Sequence, residues 1–585
     1  ALVAACIVAV RAGSTRLPID EARLGAALTP LGAADSVPLL RSILARARAG
    51  QPADPVSAVV GAPDERKPLV LDGEWLYPER MRALEVRFCA RVRDRLARAT
   101  PTRDPRLLAR ALRAIGTGPP ALTDDQVRAV RDALSAHLAL ISGGPGTGKT
   151  TIVVALLRAL SWMGEPMANI AIAAPTGKAA QRLRDAIATG LASARGDIAD
   201  AGLHAVAPTP QTLHRLLGWS PTRGRFARHE NDRLPHRIVV VDEASMIDLA
   251  TMDRLMRALA DDARLVLLGD ADQLPSVDAG AVFRDLCVAL RPARLSTNLR
   301  VERDPEAQRI VAAARSVNAG ELDVRFAGAV VMRHSVAEVT FEGVEHLGAS
   351  WDDVGDALLD RWWSERIASL DDFARRIART YLTESGTFDD SERADLDSLF
   401  DHYARARFLC VTRSGVLATG SEAINARLLA KFRNGTEVRH GYQSSDLTQG
   451  APVIVGRNDY ERQLFNGDQG VIVCMDRSRG EGPEVMAVFQ QGGTLRAFPI
   501  DGPTHLAPSL AMTVHKAQGS EFDHVALVLP DSDLPLLSRE LIYTALTRAR
   551  RSVLIVGSPE LLARAVSRTY QRHSGVAEKL ASLPQ

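Results

Sequence analysis

The 585-residue sequence predicts an α/β chain built on two parallel layers, and three observations carry that prediction. The first is Gly143-Gly144-Pro145-Gly146-Thr147-Gly148-Lys149-Thr150, which fits G-x-x-x-x-G-K-[ST] between an apolar run at 138–141 and a helical pattern at 151–160. The second is a series of short apolar runs at 169–174, 238–241 and 265–268, each ending in polar or small residues, as buried parallel strands do. The third is the return of that alternation at 409–412, 525–529 and 553–556, which implies another parallel layer.

Composition bounds what those layers can do. The length suggests about three or four domains, and an apolar content of 46% is ordinary for a soluble core. No apolar run approaches the ~18 residues of a membrane helix. The opening ALVAACIVAV has no basic residues before it and no clear cleavage site, so it reads as core, not as a signal peptide. Five scattered cysteines without a C-x-x-C pair argue against zinc ribbons, iron–sulfur clusters and a disulfide framework, and suit a reducing cytoplasm. A net charge of +2 gives no global basic footprint, so any claim about nucleic acid rests on motifs. Of 72 basic residues only six are lysines: Lys67, Lys149, Lys178, Lys431, Lys516 and Lys579. Lysines retained in so arginine-rich a chain mark candidate positions for a compact ammonium; those at 149, 178 and 516 fall inside motifs.

Residues 1–115 carry Leu, Ala and Arg at helical spacing (39–49, 81–99) and a hairpin at 68–77 with an Asp72-Gly73 turn. This is a packing or interaction module. Its Glu65-Arg66-Lys67 lacks the strand context and further carboxylates of a nuclease site. A linker is expected at 116–120. Thr123 then caps a helix through 134, and the Gln126 amide has the donor and acceptor to read an adenine edge. In the glycine loop successive N–H groups turn toward phosphate oxygens, and the helix N-terminus adds positive potential. Lys149 reaches the β- and γ-phosphates and the Thr150 hydroxyl ligates Mg²⁺, so the chain is expected to bind ATP or GTP.

After the strand at 169–174 come Pro175-Thr176-Gly177-Lys178, a place where a phosphate backbone can approach, and then Arg182 and Arg184. Asp242-Glu243 leave the strand at 238–241 as an acidic pair, with Asp242 placed to hold Mg²⁺ and Glu243 to position and deprotonate the attacking water. Gln273, beyond the strand at 265–268, is placed to sense the γ-phosphate, and Arg300 could reach in from a neighbouring domain. Residues 301–405 read as mostly helical and without recognisable chemistry. Short alternating runs across 437–506, separated by Gly, Asn and Asp turns, read as a small β-barrel inserted in the second α/β layer.

In series, Gln126, GGPGTGKT, APTGKAAQRL, VVDEAS, GDADQLPSV, Arg300, TVHKAQGSEF (513–522) and YTALTRAR (543–550) resemble the motif ladder of superfamily 1 DNA helicases, from about residue 120 to the C-terminus. Thr212-Leu213-His214-Arg215-Leu216-Leu217, Asn458-Asp459-Tyr460, Leu464-Phe465-Asn466-Gly467-Asp468 and the N-terminal PLVLDGEWLYPER are similar to the RecD family, alpha subunits of exodeoxyribonuclease V, the RecBCD complex. One departure stands at the fourth motif: an aromatic-Arg-Gln stretch is usual in the family, and this chain has Asn298-Leu299-Arg300-Val301.

The resemblance implies two RecA-like P-loop motor domains with ATP in the cleft between them and single-stranded DNA across their tops. It divides the chain into a mainly helical partner-docking domain (1–115), a first motor domain (116–295), a second motor domain in two parts (296–436 and 507–585) and an SH3-like β-barrel insertion (437–506). A strand-separating pin is implied at 218–235. Nucleotide contacts carry over to Gln126, Gly143, Gly144, Pro145, Gly146, Thr147, Gly148, Lys149, Thr150, Thr151, Gln518, Gly519 and Glu521. Thr150 and Asp242 would take Mg²⁺; Lys149, Glu243 and Gln273 would serve hydrolysis, with Arg300 and Arg548 as arginine fingers. Gln518 joins Gln273 in coupling phosphate state to domain position. Pro175, Thr176, Lys178, Thr513 and His515 would meet the DNA strand. The activity implied is ATP-dependent 5′→3′ unwinding in double-strand-break repair. The partners implied are RecB-like and RecC-like subunits in a heterotrimer, with duplex DNA ends as substrate, no membrane, and DNA cutting left to a partner. A stand-alone helicase of the same branch and a catalytically silent structural subunit are the alternatives.

Overall fold

Two parallel sheets, one in each of two units of the chain, take up the apolar runs described above. The computed structural model describes residues 2–29, 32–49, 54–98, 104–117, 121–193, 203–298, 305–322, 324–382, 388–435, 447–459, 461–476, 483–491, 493–500 and 505–581. The first unit comprises Ala1–Pro175, Ala179–Leu299 and Gln571–Gln585, and the second Thr176–Lys178 and Arg300–Tyr570. The stretch 571–585, expected with the second α/β layer, therefore belongs to the first unit, and residues 1–115 group with the first layer too. The predicted linker is displaced as well: a helix, Pro105–Thr117, runs through Gly116 and Thr117, and 118–120 lie outside the described residues.

The first unit opens with a four-stranded sheet of β1 (Leu17–Pro18), β2 (Val60–Gly61), β3 (Leu69–Asp72) and β4 (Trp75–Pro78), in the order β1-β4-β3-β2. Helices pack with it, so the N-terminal region is mixed α and β. The hairpin forms one residue out of phase with the sequence reading: Asp72 pairs with Trp75, so Gly73-Glu74 is the two-residue loop. Gly73 has φ +59 and Glu74 is not in the left-handed region, the pattern of a turn with glycine first.

The main sheet of this unit holds β5 (Leu138–Gly143), β6 (Ile170–Ala174), β7 (Gln211–Thr212), β10 (Ile238–Val241), β11 (Arg264–Gly269) and β12 (Ala293–Leu295). Its order is β12-β5-β11-β10-β6-β7, and every pairing is parallel. One face of the sheet is covered by helices from the glycine loop onward, with Ile152, Leu156, Leu160 and Leu183. The other face is covered by Met252 and Leu255, by Phe88 and Val92 from the N-terminal helix Glu79–Leu96, and by Val576 and Leu580 from the last helix. That shared core is why both chain ends join the first unit. A separate hairpin of β8 (Trp219–Ser220) and β9 (Arg225–Phe226) occupies the stretch read as a pin. Trp219 and Phe226 pack with ring centroids 4.7 Å apart.

The second unit contains β13 (Val330–Arg333), β14 (Gly343–Leu347), β15 (Thr380–Leu382), β16 (Ala406–Cys410), β17 (Pro452–Val455), β18 (Gln469–Asp476), β19 (Glu484–Gln491), β20 (Thr494–Pro499), β21 (Leu506–Pro508), β22 (Ala511–Thr513), β23 (Phe522–Val528) and β24 (Ala549–Val556). Its parallel sheet has the order β13-β14-β24-β23-β16-β22. Two of those strands come from 301–405, the region read as mostly helical. They escaped notice because β14 carries Glu345 and His346, which interrupt the apolar signal. Both are buried and satisfied: Glu345 pairs with Arg333 at 2.6 Å and accepts the Thr340 and Phe341 N–H groups, and His346 Nε2 lies 2.9 Å from the Gly557 carbonyl. The stretch read as a barrel is an antiparallel sheet in the order β20-β19-β18-β17-β21. Its end strands β20 and β21 are not paired with each other among the described residues, and it recruits β15 from well outside 437–506.

Candidate active site

The glycine loop follows β5 and opens the helix Lys149–Trp162. Gly148 caps that helix with φ +80 and Gly146 has φ +79, a left-handed curl that costs other residues about 1–2 kcal/mol. Gly143 is constrained by space instead: a Cβ there would stand 2.6 Å from Thr147 Oγ1 and 2.9 Å from the Leu295 Cβ. Lys149 folds back over the loop, its ammonium donating to the carbonyls of Gly143 (2.5 Å) and Gly144 (3.1 Å). Thr147 donates its hydroxyl to the Gly144 carbonyl at 2.8 Å. The loop is thus shaped by its own donors, with Thr150 and Thr151 in the first helical turn.

Acidic groups converge from the neighbouring strand ends. Asp242 leaves β10, its N–H donating to the Ala173 carbonyl of β6 and its carboxylate accepting the Glu243 N–H at 2.9 Å. Burial, together with the charge of Glu243, pushes the Asp242 carboxyl above its ordinary value, while Lys149 and Arg182 pull it down. Glu243 sits at φ +53, strained for a residue with a side chain, and its Oε2 is buried with no hydrogen-bond partner. Gln273, reached from β11, donates to Asp270 at 3.0 Å, and its Oε1 is likewise buried without a partner. The strand register places this turn beside the loop: Gly269 pairs with Ser142, and the Ala271 N–H reaches Ser142 Oγ at 3.4 Å. Burial raises the Asp270 carboxyl, against the charge of Lys149. Two orphaned acceptors and a carboxylate disfavoured in its charged form suit a site that takes a cation and a water.

Gln126 stands beside the glycine loop. Its Oε1 accepts the Thr123 N–H at 3.0 Å in a capping box, and its Nε2 donates to the Thr147 carbonyl at 2.9 Å. The Gln126 amide thus ties the start of its helix to the glycine loop, with one N–H and one lone pair left over. The sequence reading passed over Asp125 and Asn298, which also reach this region: the Asp125 carboxylate accepts the Ser296 N–H at 2.8 Å, and Asn298 donates to the Pro145 carbonyl at 2.9 Å. Their signals were slight: Asp125 stands at the second helical position, between the two residues of the capping box, and Asn298 lies in the departure at the fourth motif, with no partner marked for either.

Pro175, Thr176 and Lys178 follow the C-terminal end of β6, at the start of the helix Gly177–Ser193. In the second unit Thr513 ends β22, and its hydroxyl accepts the Lys516 N–H at 3.3 Å; His515 lies between them in the chain. Burial lowers the Lys516 ammonium. Gln518 and Gly519 (φ +71) continue that loop to Glu521, which pairs with Arg550 at 3.1 Å. Arg548 is buried and donates to the carbonyls of Thr544 (3.2 Å) and Ser520 (3.3 Å). Arg300 lies outside the described residues.

Known proteins resemble this chain over most of its length. The AAA domain family model matches residues 126–279, and the UvrD-like helicase C-terminal domain matches 508–556. The RecBCD enzyme subunit RecD of Mycobacterium tuberculosis is 36% identical over 558 residues, covering 91% of this chain and 85% of that protein. The ATP-dependent RecD2 DNA helicase of Deinococcus radiodurans is 29% identical over 464 residues, covering 78% of this chain and 52% of that protein. Among solved structures, the Pif1 helicase from Candida albicans aligns with 74% of this chain and 94% of its own at 17% identity, with a TM-score of 0.38.

Proposed function

The chain belongs to the RecD family, and on that premise we propose that it is an ATP-dependent DNA helicase working as a subunit of a RecBCD-type helicase–nuclease. One observation carries the catalytic part: the glycine loop, the Asp242-Glu243 pair and Gln273 stand at the ends of adjacent parallel strands β5, β10 and β11, with unpartnered acceptors on Glu243 and Gln273. In this reading Lys149 leaves its two loop carbonyls to bind phosphate oxygens, a contact an ammonium makes as a point charge. The Thr150 hydroxyl and Asp242 would hold Mg²⁺, which would draw charge from the phosphates. Glu243 accepts a proton from the attacking water through its orphaned Oε2, and Gln273 registers the γ-phosphate. Arg300 and Arg548 are proposed as the arginine fingers, for which Arg548 must exchange its present carbonyl partners.

Pro175, Thr176, Lys178, Thr513 and His515 are proposed to hold single-stranded DNA, the hairpin at 218–235 to meet the duplex junction, and translocation to run 5′→3′. Assembly with RecB-like and RecC-like subunits is favoured over a stand-alone enzyme because the chain is 36% identical to a RecD subunit and 29% identical to a RecD2 helicase. A silent structural subunit is disfavoured by the intact set Lys149, Glu243 and Gln273. The deciding experiment is Lys149→Gln assayed in the assembled complex on 5′-tailed and 3′-tailed duplexes. Loss on the 5′-tailed substrate supports the assignment; loss confined to the 3′-tailed one overturns the polarity, and no loss on either overturns the motor.

A further inference from the structure

The chain leaves the first unit through Leu295-Ser296-Thr297-Asn298, and this segment is fastened to the glycine loop at both of its ends. Leu295 pairs with Gly143 where β12 and β5 finish, closely enough to exclude a Cβ on Gly143. Asn298 donates its amide to the Pro145 carbonyl at 2.9 Å. Between these points Asp125, 7% exposed, gathers the backbone. One carboxylate oxygen accepts the N–H groups of Ser296 (2.8 Å) and Thr297 (3.4 Å) and the Ser296 hydroxyl (3.2 Å). The other accepts the Thr123 hydroxyl and the Gln126 N–H, and Gln126 in turn grips the Thr147 carbonyl. Those donors hold the Asp125 carboxyl below its ordinary value against the cost of burial.

The exit segment, the start of the helix Asp124–Ser135 and the loop are therefore one hydrogen-bonded body. Its grips on the loop are the carbonyls of Pro145 and Thr147, on the same peptides whose neighbouring N–H groups turn toward phosphate when such a loop fills. A loop that adjusts to phosphate moves those carbonyls, and the segment must follow or release them. We propose that Asp125 and Asn298 are positioning residues that carry the state of the glycine loop into the exit segment 296–298. The proposal rests on the reading of the loop as an ATP site. Only an ionised carboxylate satisfies the set at 125, because an amide offers one acceptor oxygen where five donors converge.

The test uses the chain assembled with its partner subunits, as wild type, Asn298→Ala, Asn298→Gln and Asp125→Asn. Four quantities are read: binding of a fluorescent ADP analogue, kcat and KM for DNA-stimulated ATP hydrolysis, ATP consumed per base pair unwound, and the urea midpoint. Asn298→Ala is expected to bind the analogue within about threefold of wild type while kcat falls roughly 10-fold and ATP per base pair rises several-fold, with partial rescue in Asn298→Gln. Asp125→Asn should follow the same pattern; if it fails to fold, the Asn298 pair decides. Wild-type coupling in both Asn298 variants overturns the proposal, as does a loss confined to KM and analogue affinity. A wild-type complex that does not bind the analogue overturns the ATP-site reading itself.

Discussion

The ammonium of Lys579 lies 2.7 Å from the carboxylate of Glu85, a side chain with no exposed surface, and so joins two helices 494 residues apart in the chain. Lys579 also donates to the Tyr77 hydroxyl at 2.9 Å, and Glu85 accepts the Gly575 N–H at 2.8 Å and the Thr15 hydroxyl at 2.5 Å. The two ends of the chain are thus tied through one buried carboxylate. Removing its cation leaves a charge that burial cannot tolerate, which costs about 3–5 kcal/mol. Lys579→Ala is therefore expected to lower the stability of the first unit by roughly that amount in urea unfolding. The pair Lys579→Met with Glu85→Gln should recover most of the loss, and additive losses would contradict a buried pair.

Glu243→Gln keeps the shape of the side chain and removes its ability to take a proton. A positioned general base contributes about 10²–10⁴ in rate, so DNA-stimulated ATP turnover should fall by that factor with nucleotide binding retained. Equilibrium binding and steady-state hydrolysis measured on one preparation separate the two; a parallel loss of binding would mean that the strained backbone at φ +53, not the carboxylate, had been disturbed.

Asn425 acts as a substitute strand for β22, the outer strand of the second parallel sheet. Its amide donates to the carbonyls of Ala511 (2.8 Å) and Pro508 (3.3 Å), and its oxygen accepts the Ala511 N–H at 2.8 Å. Asn425→Ala strands buried backbone groups, at a cost of about 1–3 kcal/mol. Because β22 leads to Thr513 and His515, affinity for single-stranded oligonucleotide is expected to weaken several-fold as well, measured by fluorescence anisotropy. Unchanged affinity in a destabilised variant would show that β22 holds its place without the clamp.

His524 gives the second unit a pH dependence. Burial, with Arg366, Arg551 and Arg405 around it and Asp523 opposing, pushes its imidazole down to about 4. Unfolded histidine titrates near 6.5, so between these values the unfolded chain binds the extra proton. The stabilising contribution is complete above about pH 6.5 and is lost progressively as pH falls toward about 4. Urea midpoints taken from pH 7.5 to pH 4.5 should decline in the wild type, and His524→Gln should flatten the decline. An equal slope in both would assign it to other groups.

The glycine loop and the apolar runs feeding the first sheet were legible because each is a local pattern: a strand with both faces buried must be continuously apolar, and a phosphate loop needs glycine at set spacings. The runs at 138–141, 238–241 and 265–268 lie within β5, β10 and β11 for that reason. β14 was not legible, since its Glu345 and His346 are tolerable in a core only when partners from other segments satisfy them. The same holds for Gln126. An amide with a donor and an acceptor suits an adenine edge and a capping box alike, and its bond to the Thr147 carbonyl, 21 residues on, has no local sequence signal.

By itself, then, the sequence determined the chemistry on offer: a phosphate-binding loop, an acidic pair at a strand exit, and a motif order shared with the RecD family. Tertiary structure decided which groups meet. Asp125 reaches Ser296 across 171 residues, Asn298 reaches Pro145 across 153, and Lys579 reaches Glu85 across 494. Such pairs leave no periodic trace, because what holds each one is the desolvation cost of leaving a buried donor or carboxylate without its partner.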